Sequence, residues 1–131
     1  MQHHELPRPN WLEIDPSAIA SNTRLFKKLA PNAQVMAVVK ANAYGHGAPR
    51  VSRALDEAGA DYFGVAVVEE ALELREAGIL KPILVLGWTP GVDYERALQN
   101  DLTITIFSLQ EAEELSRIST LLGKKASVHI K

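Results

Sequence analysis

Val35-Met36-Ala37-Val38-Val39-Lys40-Ala41-Asn42-Ala43-Tyr44-Gly45-His46-Gly47 is the stretch whose reading decides the fold. Its apolar opening reads as a short buried strand over Val35 to Lys40. A loop of small residues with two glycines comes next, and a helix starts at about Pro49. Side chains alternate along a strand, so Met36, Val38 and Lys40 share one face and Val35, Ala37 and Val39 the other. A lysine that closes a strand has two readings. Either the chain is simply surfacing, or the amine stands at the mouth of an α/β barrel, where strand ends carry the chemistry. In the second reading an apolar wall of Met36 and Val38 desolvates the amine, lowers its pKa and makes it a nucleophile for carbonyl compounds.

On the N-terminal side, Trp11 to Asp15 reads as a short strand or extended lead-in. Asp15 has the position of an N-cap, with Pro16 at the first helical position. Ile19, Leu25, Phe26 and Leu29 form the apolar stripe of the helix beyond it. On the other side, a helix carrying Val51, Ala54, Leu55 and Ala58 stops at Gly59. Tyr62 to Val67 is continuous enough for a buried parallel strand. A helix over about Val68 to Ala77 ends at Gly78. Pro82 to Gly87 is a third strand, Trp88 to Gly91 a turn, and about Val92 to Leu98 a short helix. Leu102 to Ile106 is a fourth strand, rich in β-branched residues. Ser108 and Glu111 have capping-box spacing, opening a helix with Ala112, Leu115, Ile118 and Leu122 inward and Gly123 at its end. Ala126 to Lys131 is a fifth strand.

Strict strand–helix alternation predicts parallel strands joined by right-handed crossovers. Two architectures satisfy it. One is a complete, open, doubly wound sheet. The other is the N-terminal part of a (β/α)8 TIM barrel, truncated after about five strands, since a whole barrel takes about 250 residues. The chain has 131 residues, 47% of them hydrophobic, a formal net charge of -2 and no cysteine. One domain with a core fits these figures. The scattered charge points away from nucleic acid, and no run approaches membrane-spanning length. Without cysteine there is neither a disulfide framework nor a thiolate site, which fits a cytoplasmic location. His3 and His4 read as a polar end, with no metal site expected.

Ala37-Val38-Val39-Lys40-Ala41-Asn42-Ala43-Tyr44-Gly45-His46-Gly47 closely resembles the pyridoxal-phosphate attachment motif of the alanine racemases. The ornithine and diaminopimelate decarboxylases resemble it only over Val39-Lys40-Ala41-Asn42, so Tyr44-Gly45-His46-Gly47 points to the racemases. The likeness extends from Trp11 onward, through Val68 to Gly78, Pro82 to Gly87 and Val128 to Lys131. It implies the first third of an alanine racemase: a partial N-terminal barrel domain over residues 1–131, without the family's C-terminal β-domain. It also implies a pyridoxal 5'-phosphate enzyme that interconverts L- and D-alanine for peptidoglycan, as a homodimer when full length.

By the same resemblance, Lys40 holds the cofactor and serves as one of two acid–base groups. Tyr44 binds the cofactor phosphate, Leu86 lies against the ring, and Lys131 matches a lysine that many members carry as a carbamate. Ser127, His129 and Lys131 share a face by alternation. The second acid–base group, a tyrosine of the partner's C-terminal domain, has no counterpart in these 131 residues, so the isolated chain is expected not to racemise. His46 reads as a loop-shaping histidine, His129 as a buried, hydrogen-bonded one, and Trp11 and Trp88 as packing. Two other functions stay open: a doubly wound binding module in which Lys40 is dispensable, and a non-racemising pyridoxal-phosphate carrier.

Overall fold

The computed structural model describes residues 10–131. His3 and His4 lie outside the described residues. Helix α1 (Pro16–Leu29) precedes β1 (Met36–Val38), α2 (Ala48–Glu57), β2 (Tyr62–Val65), α3 (Val68–Glu76) and β3 (Ile83–Val85). A 3-10 turn (Gly91–Asp93) then leads into α4 (Tyr94–Gln99), β4 (Thr103–Ile106), α5 (Leu109–Leu122) and β5 (Ser127–Ile130). Asp15 caps α1 by accepting the Ser17 N–H at 2.8 Å, and Pro16 fills the first helical position. Trp11 to Asp15 forms no strand; the segment runs along the surface with the Trp11 indole donating to Glu13.

The strands lie in the order β1-β2-β3-β4-β5, every neighbouring pair parallel. This order separates the two architectures. A doubly wound sheet changes direction at a switch point and carries helices on both faces. Strands laid down one after another in a single direction by right-handed crossovers put every connecting helix on the same face, as in a barrel. The complete doubly wound sheet is therefore excluded, and the chain forms five consecutive strands of a (β/α)8-type wall.

The register assigns each strand residue to a face. Ala37, Phe63 and Ile83 align on the helix side, and so do Val65, Val85 and Ile104. Phe63, Val65, Ile83, Val85 and Ile104 are fully buried there, beneath Val51, Val68, Ala71, Leu74, Leu98 and Leu115 of the helices. On the opposite face Val38, Gly64, Leu84, Thr103 and Ser127 form one rung. Above them come Leu86, Thr105 and His129. These are stacked layers of the kind that fill a barrel interior.

Polar anchors tie the helices to the sheet. Asp61 accepts Lys27 Nζ with both oxygens at 2.7 Å and the Val35 N–H at 2.8 Å, docking α1 against the entry to β1. The lysine hydrogen bond, with the Val35 N–H second, holds the Asp61 carboxyl below its usual range. Arg75 spreads its guanidinium over the carbonyls of Ile79, Lys81, Asn100 and Asp101, which joins α3 to the entry of β3 and the exit of α4. No helix among the described residues is long and apolar enough to cross a membrane.

Candidate active site

Lys40, Ala66, Leu86, Gly87, Thr105, His129 and Lys131 line one open cleft of about 450 Å³ at the C-terminal ends of the five strands. Each strand, or the residues just past its end, contributes. Three of the residues singled out from sequence, Lys40, Leu86 and Lys131, meet in it. Thr105 and His129 are register partners on the same rung. Thr105 is buried and donates Oγ1–H to the Val85 carbonyl at 2.7 Å. Gly87 closes the floor: a Cβ there would stand 2.4 Å from the Ala66 carbonyl oxygen. That close approach requires glycine, because the Gly87 N–H donates to the same oxygen at 3.1 Å.

Lys40 opens a turn of the left hand. Ala41, Asn42 and Ala43 have φ of 52°, 54° and 53° with ψ of 50°, 46° and 48°, and Tyr44 comes next at φ 55°. Left-handed backbone costs an L-residue about 1–2 kcal/mol, less for Asn. Such strain persists only where the surroundings over-determine it, and it gathers at functional sites. Here the restraints are explicit. The Ala43 N–H donates to the Val39 carbonyl at 2.8 Å, and the Gly45 N–H to that of Ala41 at 3.0 Å. Asn42 Oδ1 accepts the Ala48 N–H at 2.7 Å, which caps α2. His46 Nδ1 donates to the Ala43 carbonyl at 2.8 Å, so this histidine shapes the loop. Gly47, at φ 88°, lets the chain pass straight from the turn into α2. Glu70 of α3 accepts the Ala41 N–H through one carboxylate oxygen and the Ala66 N–H through the other, both at 2.7 Å.

Several expectations need correcting. Lys40 is exposed, and on its face Met36 and Val38 are 38% and 40% exposed, so these residues do not form the dry wall expected around the amine. The physical reason is that the concave face of five strands lies open. His129 is exposed for the same reason, rather than buried and hydrogen-bonded. Trp88 is exposed and donates its indole N–H to Glu111, so it does not pack in the core. Tyr44 is 59% exposed at the rim and is not one of the cleft-lining residues. Leu86 is half-buried over Gly64. Lys131 lines the cleft, with its ammonium 5.6 Å from the centre of the Phe107 ring, a cation–π distance.

Sequence reasoning missed Asn42, Ala66, Glu70, Gly87 and Thr105. Thr105 carried a usable signal: it sits on the inward parity of its strand, near the same C-terminal end as Lys40. Glu70 carried only the spacing of a helix cap.

The family model described as "Alanine racemase, N-terminal domain" matches residues 14–131. Alanine racemase 1 of Oceanobacillus iheyensis is 47% identical over 125 residues, which is 95% of this chain and 33% of that protein. Among solved structures, the alanine racemase of Clostridium difficile 630 in complex with cycloserine superposes with a TM-score of 0.86 at 38% identity, covering 96% of this chain and 34% of that one. A histidine racemase from Leuconostoc mesenteroides subsp. sake superposes with a TM-score of 0.79 at 32% identity, covering 86% and 30%. The chain spans about a third of the length of the relatives it matches. The parallel wall, the lysine at the end of its first strand and the match over residues 14–131 agree: the chain belongs to the alanine racemase N-terminal domain family.

Proposed function

We propose that this chain is the cofactor-holding part of a pyridoxal-phosphate-dependent racemase that interconverts L- and D-alanine, as a step toward peptidoglycan. The observation that carries this is the placement of Lys40. It stands just past the C-terminal end of β1, over a cleft lined from the ends of all five strands, and opens a strained, hydrogen-bonded turn. Alanine is preferred to histidine as substrate because the curated relatives at 47% identity are alanine racemases.

The residues present fit the cofactor. A primary amine for its aldehyde is at hand in Lys40, a half-buried leucine for its ring in Leu86, and a second cation, Lys131, across the cleft. Tyr44 stands at the rim with its side chain exposed, free to donate its hydroxyl to a phosphate oxygen. When bound, pyridoxal phosphate supplies the electron sink that makes the α-proton of an amino acid exchangeable. Lys40 would hold the cofactor through Nζ, the one primary amine at the β1 end of the cleft. As an amine, Lys40 would also be able to take or return a proton at the α-carbon of the amino acid. Leu86 would offer an apolar surface to the ring. Lys131 answers negative charge at the far end of the cleft, and its carbamylated form would do so only through a further cation. Inverting the α-carbon needs a second acid–base group on the opposite side. By the family resemblance that group is a tyrosine of a partner subunit in a homodimer, so racemisation belongs to the longer protein and not to these 131 residues.

A barrel that only carries the cofactor would use Lys40 in the same way, but the identity to alanine racemases favours the racemase. The test is to incubate the chain with pyridoxal phosphate, reduce with borohydride and locate the adduct by peptide mass spectrometry. Labelling concentrated on Lys40 and lost in Lys40→Ala is expected. Label spread evenly over the lysines would overturn the reading.

A further inference from the structure

We infer that Glu70 is a positioning residue for Lys40: its carboxylate fastens the strained turn behind the lysine to the end of β2, and so fixes where the amine stands. The inference rests on the reading of Lys40 as the cofactor-holding amine. Glu70 occupies the third position of α3, where a glutamate ordinarily folds back onto a backbone N–H at the helix start. It does so with one oxygen, accepting the Ala66 N–H at 2.7 Å. The other oxygen leaves its own βα unit and accepts the Ala41 N–H, also at 2.7 Å. Ala41 is the residue directly after Lys40 and the first left-handed residue of the turn. Ala66 lines the cleft. One carboxylate thus ties the backbone next to the amine to the floor of the site.

The same device occurs a second time and shows what is particular to the first. Glu111 holds the third position of α5 and accepts the Phe107 N–H at 2.7 Å with one oxygen. Its other oxygen also reaches into the preceding unit, where it accepts the Trp88 indole N–H at 2.9 Å. Both glutamates cap a helix and bridge to the loop after the previous strand. Of the two, only Glu70 makes its bridge to main chain, and only its bridging target adjoins the lysine.

Glutamine at position 70 retains one acceptor and turns an NH2 toward the other N–H. Aspartate keeps both oxygens but is one methylene too short to span the two amides. The experiment compares Glu70→Gln, Glu70→Asp and Glu111→Gln in this chain by two readouts. One is amide hydrogen exchange at Ala41. The other is the borohydride-trapped pyridoxal-phosphate label at Lys40 relative to exposed Lys81. Glu70→Gln should speed exchange at Ala41 about ten-fold or more, as for a lost charge-assisted hydrogen bond, and lower the Lys40:Lys81 ratio several-fold. Glu70→Asp should do the same while preserving the charge, which also covers the case in which the glutamine variant fails to fold. Glu111→Gln should leave both readouts unchanged while lowering the melting temperature, which sets the effect of losing a cap alone.

Equal effects of Glu70→Gln and Glu111→Gln on Ala41 exchange and on the label ratio would overturn the inference and reduce Glu70 to a helix cap. Absence of preferential labelling in the unsubstituted chain would instead overturn the cofactor reading. The exchange comparison would still decide whether Glu70 holds the turn.

Discussion

The two faces of this sheet are built by the same five strands and could hardly differ more. On the helix side Phe63, Val65, Ile83, Val85 and Ile104 are completely buried. On the other side Leu84 and Thr105 are buried between neighbouring strands, but Met36 and Val38 stand more than a third exposed, and Lys40 and Lys131 stand at the rim of the upper rung of Leu86, Thr105 and His129. Because side chains alternate, each strand delivers one residue to stability and the next to the cleft. Stability and chemistry are therefore separable by parity along a single strand. The largest effect that tests this separation is Phe63→Ala. It should cost about 3–5 kcal/mol, the range for emptying a buried phenylalanine site, as read by urea unfolding. Lys40→Ala, on the open side, should change stability by no more than about 0.5 kcal/mol while abolishing the trapped label. Comparable losses of stability in the two variants would break the comparison.

Gly87 lies where the two faces meet, and it sharpens the contrast. Its missing Cβ is what lets β3 pass 3.1 Å from the Ala66 carbonyl. Gly87→Ala should force the ends of β2 and β3 apart at about 1–3 kcal/mol, the usual range for overpacking. It should also lower Lys40 labelling, because Ala66 is the second anchor of Glu70. A variant that loses stability but labels normally would show that the floor of the cleft does not govern the amine.

Much of the helix-side face was legible in the residues. The apolar runs Tyr62 to Val67 and Leu102 to Ile106, the Asp15–Pro16 start and the Ser108–Glu111 spacing each report a local rule, and each appears in the fold. Strand order was not legible, because alternation gives the succession of elements along the chain and not which strand lies beside which. The order β1-β2-β3-β4-β5 settles the barrel wall. The left-handed turn was hidden for a different reason. Ala41, Ala43 and Tyr44 carry no preference for positive φ, and the side-chain hydrogen bonds around the turn come from Glu70, Asn42 and His46, contacts that the sequence does not advertise. The place of Lys40, just past the end of β1 and lining the cleft, was legible from its position and its motif. His129 was misjudged because strand parity gives its face but not whether that face is covered.

Smaller effects test how the helix layer is fastened to the sheet. Asp61, hydrogen-bonded by Lys27 and by the Val35 N–H, has its folded-state pKa lowered below the usual 3.8. The folded state therefore binds the proton less readily than the unfolded chain does. The pair contributes its stability fully above that usual value and loses it as pH falls through the lowered one. Thermal midpoints measured from about pH 5 down to about pH 3 should fall less steeply for Asp61→Asn than for the unsubstituted chain. Because the pair is partly exposed, the difference should shrink in high salt. An identical acid slope in the variant would show that α1 is docked by its apolar contacts alone.

The smallest effect concerns a polar atom on the buried side. Ser52 of α2 is fully buried, and its hydroxyl has no hydrogen-bond partner among the described residues. A hydroxyl without a partner in a dry interior gives up its water and gains nothing, so removing it should not destabilise the fold. Alanine also suits a helix interior better than serine, by a few tenths of a kcal/mol. Ser52→Ala should therefore leave stability unchanged or raise it by up to about 1 kcal/mol, with no effect on the label at Lys40. A loss of stability would mean that the hydroxyl bonds to the preceding turn of its own helix. The rule that the helix side of this sheet is held by apolar contact would then need an exception at that position.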